Sequence, residues 1–429
     1  MSDAAHPAAP PRRNLLQSLE IDMRLLGMIG AFLAICIVFN VITGGRFLSP
    51  QNIFNIANQT VSVAIMATGM VFVIVTRNID LSVGSLLGFL GMIMGTLQVH
   101  YLPGLVGQGS GAIWITAIVA GILAGIVIGG FQGWIVGYMG VPAFIVTLGG
   151  LLVWRGAAWW VTGGQTVAPL DPTFARLGGG TGGSLGATWS WILGIAATIA
   201  ALALIFAARR RRFKHGFQVK PLWAELTMAG VIAFVILGFV ALMNAYPVPE
   251  SAAKRILAAR GEPIPDGPIV MAQGIAIPVV ILLAVAVVMT IVARRTRFGR
   301  YVFAAGGNPD AAELSGINTR LLTVKIFALM GALTAIAAVI ASARLGAVGN
   351  DLGTLDELRV IAAAVIGGTA LSGGIGTIYG AIIGAVIMQS LQSGMAMVGV
   401  DAPLQSIVVG IVLVFAVLID IIYRRRTGL

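Results

Sequence analysis

The chain has 429 residues, of which 58% are hydrophobic and 10% charged, and its formal net charge is +11. A soluble globular protein of this composition could not cover its apolar surface with polar side chains, so the composition excludes that class. It predicts an all-α polytopic membrane protein, in which each span needs about 20 apolar residues to cross the hydrocarbon core. The basic clusters flank apolar runs, so the positive charge indicates membrane topology and not nucleic-acid binding.

Apolar runs along the chain predict about 12 transmembrane segments. In order they lie near residues 25–42, 53–75, 81–99, 112–138, 143–162, 189–208, 224–245, 272–293, 321–343, 358–371, 374–398 and 404–423. An even number of spans places both termini on one side of the membrane. The arginine-rich stretches 209–212, 294–300 and 424–426 fall on that side, so the positive-inside rule makes the N and C termini cytoplasmic.

These spans divide the chain into predicted regions. The regions are a cytoplasmic N-terminal tail at 1–24, the first part of the transmembrane domain at 25–188, an inserted transmembrane hairpin at 189–245, an outer loop at 246–271, the second part of the transmembrane domain at 272–423, and a cytoplasmic C-terminal tail at 424–429. Prolines rule out a continuous helix through the outer loop. The basic residues of this loop do not follow the positive-inside rule. The segment 358–371 is short enough to be a broken or partly inserted helix.

The most polar break between two apolar runs lies at residues 77–85, which read RNIDLSVGS. Asp80 or Ser82 can cap the following helix, and Arg77 can neutralise Asp80. At the membrane surface this break would be a capped turn. Between two broken helices it would line an aqueous cavity, where irregular backbone survives at membrane depth. A weaker echo in VIGGTALSGG at 365–374 places Ser372 at the position of Ser82, and either duplication or shared helix-break chemistry explains it.

Arg155 lies inside the fifth apolar run, beside Trp154, Trp159 and Trp160. An intramembrane arginine is a candidate for a functional role on the translocation pathway. It can equally extend to the outer interface among tryptophans of the interfacial belt. Both interpretations remain open at the level of the sequence.

Two glycine rows recur at every fourth residue. The first is Gly121, Gly125, Gly129, Gly133 and Gly137, and the second is Gly376, Gly380 and Gly384. Such rows let helix backbones approach closely, so they predict tight helix packing. The alternative is a sliding face used when a pathway opens and closes.

The loop 294–320 is the longest polar interruption that carries a helix signature of its own. Asn308 is a good N-cap, and Pro309 follows at the first helical position. Gly316 supplies the left-handed residue that ends the helix. The pattern predicts a short helix outside the membrane, which is either an ordinary cytoplasmic loop or a docking element for a soluble partner.

Signatures of catalysis are missing from the sequence. No lysine follows a glycine, so there is no phosphate-binding P-loop, and the three histidines are scattered. We therefore expect no catalytic residue, no metal and no cofactor on this chain. The spans carry few carboxylates, which argues against a proton- or sodium-coupled carrier.

Four motifs carry a resemblance to a known family. They are IDLSVGS at 79–85, VPAFIVTLG with RG and TGG through 141–164, RTRFGRYVFAAGGNPDAAELSGI at 295–317, and VIGGTALSGGIGTIYGAIIGA at 365–385. With these motifs and its span pattern, the chain resembles the permease subunits of bacterial ATP-binding-cassette (ABC) importers for monosaccharides, of the ribose, xylose, arabinose and galactose type. The inserted hairpin is similar to that of the xylose subgroup. Arg77-Asn78 departs from the two glycines that many relatives carry.

The resemblance implies a ten-helix core plus the hairpin, in a homodimer of the inner membrane with 246–271 as a periplasmic loop. It implies partner ABC ATPase subunits that hold ATP and Mg, and a periplasmic sugar-binding protein. The coupling role of the family falls on Gly307, Asn308, Pro309, Ala312, Glu313 and Gly316. The expected function is ATP-driven import of xylose or a related pentose by alternating access, with no ATPase site on this chain. The alternatives are an ion-coupled secondary sugar carrier and a membrane scaffold or receptor.

Overall fold

A computed structural model describes residues 23–180, 182–217, 219–265, 267 and 269–427. The predicted N-terminal tail 1–24 lies outside these residues except for its last two positions. Residues 428–429 of the predicted C-terminal tail 424–429 also lie outside them.

The described residues fold into α-helices joined by short loops and turns. The helices are α1 (Met23–Ile42), α2 (Pro50–Val75), α3 (Val83–Thr96), α4 (Leu102–Val106), α5 (Ala112–Met139), α6 (Ala143–Thr162), α7 (Pro172–Arg176), α8 (Gly186–Lys214), α9 (Leu222–Ala245), α10 (Glu250–Arg260), α11 (Ile277–Arg295), α12 (Arg297–Gly307), α13 (Pro309–Leu314), α14 (Thr319–Leu345), α15 (Asp356–Ile366), α16 (Ile378–Met397) and α17 (Ala402–Thr427). A π-helical turn, Leu97–Tyr101, joins α3 to α4.

Within the described residues, 10 helical segments are long and apolar enough to cross a membrane. They are α1, α2, the continuous stretch Val83–Val106, α5, α6, α8, α9, α11, α14 and α16. The prediction of an all-α polytopic membrane protein is confirmed. The total of about twelve spans and the sides of the termini stay predictions.

The predicted segment 358–371 is helical only up to Ile366. The helix α15 has 11 residues, which is about 16 Å at 1.5 Å per residue and half the thickness of the hydrocarbon core. Gly368, Gly373 and Gly374 follow it with positive φ angles, which an L-residue rarely adopts. Of these, Gly368 directly follows the C-cap Gly367 and ends the helix, so α15 does not cross the membrane by itself.

Two helices lie at the centre of the structure. The apolar windows of α2 and α14 are 89% and 78% buried, whereas that of α1 is 6% buried. A helix that is apolar on all sides is stable in the interior of a bundle or in lipid. The span Val83–Val106 is 67% buried and α16 is 50% buried, so they lie next to this centre, and the other spans turn most of their surface outward.

The first glycine row lies on the contact between α5 and α14. Gly125 and Gly129 face the backbone of Gly331 and Phe327, and a Cβ at Gly129 would overlap the Phe327 carbonyl oxygen. Along the same face, Gly133 lies against Val324, Gly137 against Arg320, and Gly121 against the side chain of Met94. The row thus brings two backbones into direct contact, which small residues alone permit.

The second glycine row brings α16 against α15. Gly380 and Gly384 face the backbone carbonyls of Gly367 and Ala363. The third member, Gly376, lies before α16 and faces the side chains of Val71 and Val75 in α2. The row therefore holds α15 and the loop after it close to α16.

The predicted hairpin 189–245 corresponds to α8 and α9, which pack against each other. Gly194 of α8 faces Val240 of α9, and Arg209 Nη1 lies 2.6 Å from Glu225 Oε2. In the following loop 246–271, α10 begins after Pro249 and ends at Arg260, so the prolines flank the helix and do not interrupt it. Lys254 in α10 pairs with Glu250.

Candidate functional site

A polar cavity of about 630 Å³ opens between α2, α14, α15 and α16. Its walls carry carboxamide side chains at the start of α2 and in the last turns of α16. These are Asn52, Asn55, Gln59, Gln389 and Gln392, with Gln405 from α17. Carboxamides both donate and accept hydrogen bonds, so this wall suits a ligand that does the same.

The amides face one another because of their spacing along the two helices. Asn52, Asn55 and Gln59 are three and four residues apart, which places them on one face of α2. Gln389 Nε2 donates to Gln59 Oε1 at 2.9 Å, and Ser393 Oγ lies 2.9 Å from Asn52 Oδ1. This cavity was not predicted from the sequence, although amides at helical spacing within apolar helices indicate such a polar face.

Charged side chains also line the cavity, and their formal charges cancel. Arg344 and Arg359 lie there with Asp351 and Asp356. Arg359 Nη1 is 3.0 Å from Asp356 Oδ1, and the two side chains are 32% and 15% exposed. The cavity therefore combines a balanced charge with many hydrogen-bonding groups, which fits an uncharged polar solute.

The break after α2 is a buried hydrogen-bonded turn. Asp80 is 2% exposed and Ser82 is fully buried. Asp80 Oδ1 accepts hydrogen bonds from Ser82 N at 2.8 Å and from Ser82 Oγ at 2.7 Å. Ser82 also bonds to Gln132 of α5 at 3.2 Å. Burial raises the pKa of the Asp80 carboxyl, which lies between two spans, and the bonds from Ser82 oppose this shift.

Neither Asp80 nor Ser82 is among the residues that line the polar cavity. The expectation that one of them caps α3 is wrong, because Ser82 at the N-cap makes no side-chain cap hydrogen bond and Asp80 bonds to Ser82 itself. The expectation that Arg77 neutralises Asp80 is wrong. Arg77 instead donates to the carbonyl oxygens of Gly306 and Gly307. These are the last carbonyls of α12, which lack partners within their own helix. Ser372 is exposed in the loop between α15 and α16, and the cavity wall does not include it.

Arg155 turns toward the protein and not toward the membrane surface. Its Nη1 donates to the carbonyl oxygens of Asn350 and Leu352, at 2.8 and 3.1 Å. Leu352 belongs to the loop that lines the cavity, so Arg155 supports the cavity wall from behind. Of its neighbours, Trp159 and Trp160 are exposed, as expected of an interfacial belt, whereas Trp154 stacks on Phe89.

Replacing Arg155 with methionine should loosen the loop 346–355. Two hydrogen bonds from a charged donor would be lost, each worth about 1.5–3 kcal/mol. We expect amide hydrogen exchange at 350–354 to speed up by about tenfold or more, since about 1.4 kcal/mol corresponds to a factor of ten. Arg155→Lys is the matched control and should show a smaller increase. Equal exchange in Arg155→Met and the parent chain would contradict the supporting role of Arg155.

The short helix predicted in the loop 294–320 is present as α13. Asn308 Oδ1 accepts from Ala311 N at 3.0 Å, Pro309 is the first helical residue, and Gly316 has a φ of +82°. Of the other residues predicted there, Gly307 ends α12, Ala312 is buried, and Glu313 accepts a hydrogen bond from Thr319.

One exposed apolar residue of α13 was not predicted from the sequence. Leu314 is 91% exposed, while Ala312 is 5% exposed. The helix therefore attaches to the rest of the chain through its small residue and presents its large apolar residue outward. A lone leucine in a polar stretch was the available signal.

The cavity and α13 lie at opposite ends of the same helices. The central helix α14 begins at Thr319, shortly after α13, and its Arg344 lines the cavity. With 27 residues, α14 is about 40 Å long at 1.5 Å per residue. The central helix α14 therefore connects the region of α13 with the cavity.

A polytopic helical bundle with a charge-balanced polar cavity and an exposed helix at the opposite end has the architecture of a membrane transport protein. The chain belongs to the family described as branched-chain amino acid transport system / permease component, whose model matches residues 52–417. It is accordingly a permease component and a multi-pass protein of the inner membrane.

Curated relatives confirm the resemblance found in the motifs. The xylose transport system permease protein XylH of Escherichia coli K12 is 36% identical over 411 residues, which are 95% of this chain and 94% of the relative. XylH of Haemophilus influenzae is 37% identical over 95% of this chain and 98% of its own length. The ribose import permease protein RbsC of E. coli K12 is 32% identical over 87% of each chain. No solved structure matches the chain.

Proposed function

We propose that this chain is the transmembrane permease subunit of an ABC importer that moves a monosaccharide, with xylose or a related pentose as the substrate. The similarity to XylH extends over 95% of the chain and supports the sugar class. The cavity supports it independently, because its carboxamides match the hydroxyl groups of a sugar and its charges cancel.

The observation that carries the ATP-driven part of the proposal is the match to the permease component family over residues 52–417. The helix α13 is proposed as the docking element because it is short, lies outside the spans and presents Leu314, which is 91% exposed. A single exposed leucine is common on protein surfaces, so Leu314 supports the docking only together with the family match. The partner proposed is an ABC ATPase subunit, which holds ATP and Mg. A second copy of the permease and a periplasmic sugar-binding protein complete the assembly.

In this mechanism the chain contributes binding and movement but no chemistry. The amides of α2 and α16 hold the sugar weakly enough for release. ATP binding favours one arrangement of the ATPase pair, and α13 carries that preference into α14 and α2. The ligand-binding equilibrium and the nucleotide state are then coupled, so each shifts the other by the same free energy.

Affinity purification of the tagged chain from native membranes tests the proposal. We expect an ATPase subunit in the eluate, and we expect its ATP hydrolysis to rise on addition of a sugar-loaded binding protein. Binding proteins loaded with xylose, ribose or arabinose identify the substrate, and xylose should give the largest rise. An empty binding protein is the control.

Two outcomes would overturn the proposal. One is an eluate without ATPase under conditions that preserve complexes. The other is sugar uptake that persists without ATP and collapses with the proton gradient, as an ion-coupled carrier requires. Asp356 lies in the cavity, where Arg359 Nη1 is 3.0 Å from its Oδ1.

A further inference from the structure

Three segments meet at the end of α2 that lies away from the cavity. They are residues 75–77, 306–307 and 373–374, and we call their meeting point the junction. Arg77 Nε donates to the Gly306 carbonyl at 3.1 Å, and Arg77 Nη2 donates to the Gly307 carbonyl at 2.9 Å. Gly374 N donates to the Val75 carbonyl at 2.9 Å. The junction thus joins the end of α2, the end of α12 and the loop before α16.

The junction has little free space. A Cβ at Gly306 would overlap the Val75 carbonyl, and a Cβ at Gly373 would lie 2.6 Å from Arg77 Cγ. The guanidinium of Arg77 also occupies the C-terminal end of α12, where a cation is favoured by the helix dipole and by carbonyls without helical partners. Because the backbones touch, a displacement of one segment is passed to the other two.

Arg77 holds an unusual backbone conformation at this point. Its φ is +62°, and Leu355 is the other non-glycine residue with a positive φ within the described residues. Left-handed conformations of non-glycine residues persist only where the surroundings stabilise them. At Arg77 the two hydrogen bonds to α12 supply that stabilisation.

The three segments of the junction connect along the chain to α13 and to the helices that line the cavity. Asn308, which caps α13, follows Gly307 directly. Five residues between positions 52 and 63 of α2 line the cavity, and so do five residues between positions 389 and 397 of α16. The junction therefore connects α13 with the far ends of two helices that form the cavity wall.

We propose that Arg77 is a positioning residue that transmits the movement of α13 to α2 and α16. The proposal rests on the ATP-driven function proposed above, because it names the contact through which the partner would act on the cavity. Arg77 does not touch the cavity itself. Its contribution is to keep the α12–α13 connection attached to α2 while the ATPase moves it.

The test compares Arg77→Gly, Arg77→Lys and the control Asn78→Ala. Glycine suits a φ of +62°, so Arg77→Gly should fold while losing both hydrogen bonds. Lysine can keep one of them. Asn78 bonds only within its own helix end, to Thr76, so Asn78→Ala alters the same turn without releasing the junction.

In the isolated permease, we expect amide exchange over 306–314 to speed up at least fivefold in Arg77→Gly and to stay unchanged in Asn78→Ala. In the assembled importer, Arg77→Gly should still capture the ATPase and hydrolyse ATP. The amount of sugar imported per ATP should fall two- to fivefold, with Arg77→Lys intermediate.

If amide exchange over 306–314 is the same in Arg77→Gly as in the parent chain, Arg77 does not hold the α12–α13 connection to α2. Unchanged import per ATP would overturn the transmitting role, even if the thermal stability fell, because a merely structural residue lowers the amount of importer and not this ratio. A parent chain that captures no ATPase would instead overturn the proposed function and its transmitting role. Amide exchange over 306–314 in the isolated permease would then still show whether Arg77 holds the α12–α13 connection to α2.

Discussion

Replacing Gly129 with alanine is expected to destabilise the permease by about 3 kcal/mol, at the upper end of the usual cost of overpacking. The reason is that the added methyl group would meet a backbone atom and not a flexible side chain. The nearest atom is the Phe327 carbonyl oxygen, and it can move only if α5 and α14 separate. Such a separation would also disturb the neighbouring contact of Gly125 with Gly331.

Gly130 offers a matched control in the same helix. A Cβ there would lie 3.7 Å from Ala328 Cβ, an ordinary contact distance. Gly130→Ala should therefore be neutral or stabilise the helix by up to about 1 kcal/mol, the difference in helix propensity. Thermal unfolding in detergent checks both variants. Equal unfolding temperatures for Gly129→Ala and Gly130→Ala would contradict the backbone contact between α5 and α14.

Replacing Leu314 with aspartate should abolish capture of the ATPase and lower sugar uptake by at least tenfold. Burying a leucine side chain at an interface is worth about 1.5–3 kcal/mol, and a buried carboxylate adds a desolvation cost. The fold itself should change little, because the Leu314 side chain is 91% exposed. Uptake, ATPase capture and unfolding temperature measured on one preparation separate these effects.

Phe217→Asp is the control for Leu314→Asp. Phe217 is also apolar and 68% exposed, but it lies in the connection between α8 and α9. We expect its substitution to leave uptake and ATPase capture unchanged. If both variants lost capture equally, the loss would reflect added negative charge on the surface and not the docking of α13.

Local signals in the sequence were sufficient to predict the start and the end of α13. Its start and end depend on Asn308, Pro309 and Gly316, which lie within nine residues of one another. Capping and left-handed termination act within one or two helical turns, so the sequence alone predicts them. The long apolar spans were predictable for a similar reason, since length and hydropathy define them residue by residue.

Features that depend on distant residues were not predictable in this way. The cavity requires Gln59 and Gln389, which are 330 positions apart, to face each other. Arg77 was expected to pair with Asp80 because the two are close in sequence, yet its partner Gly306 is 229 positions away. The glycine rows indicated close contact, but only the packing of α5 on α14 and of α16 on α15 shows which backbones they meet.

The cancelling charges of the cavity have an electrical consequence. Each elementary charge that moves through the full membrane potential changes the free energy by about 2.3 kcal/mol per 100 mV. Arg344 and Arg359 are balanced by Asp351 and Asp356, so closing the cavity around an uncharged solute carries no net formal charge through the field. These four side chains therefore contribute no net gating charge to a movement that closes the cavity.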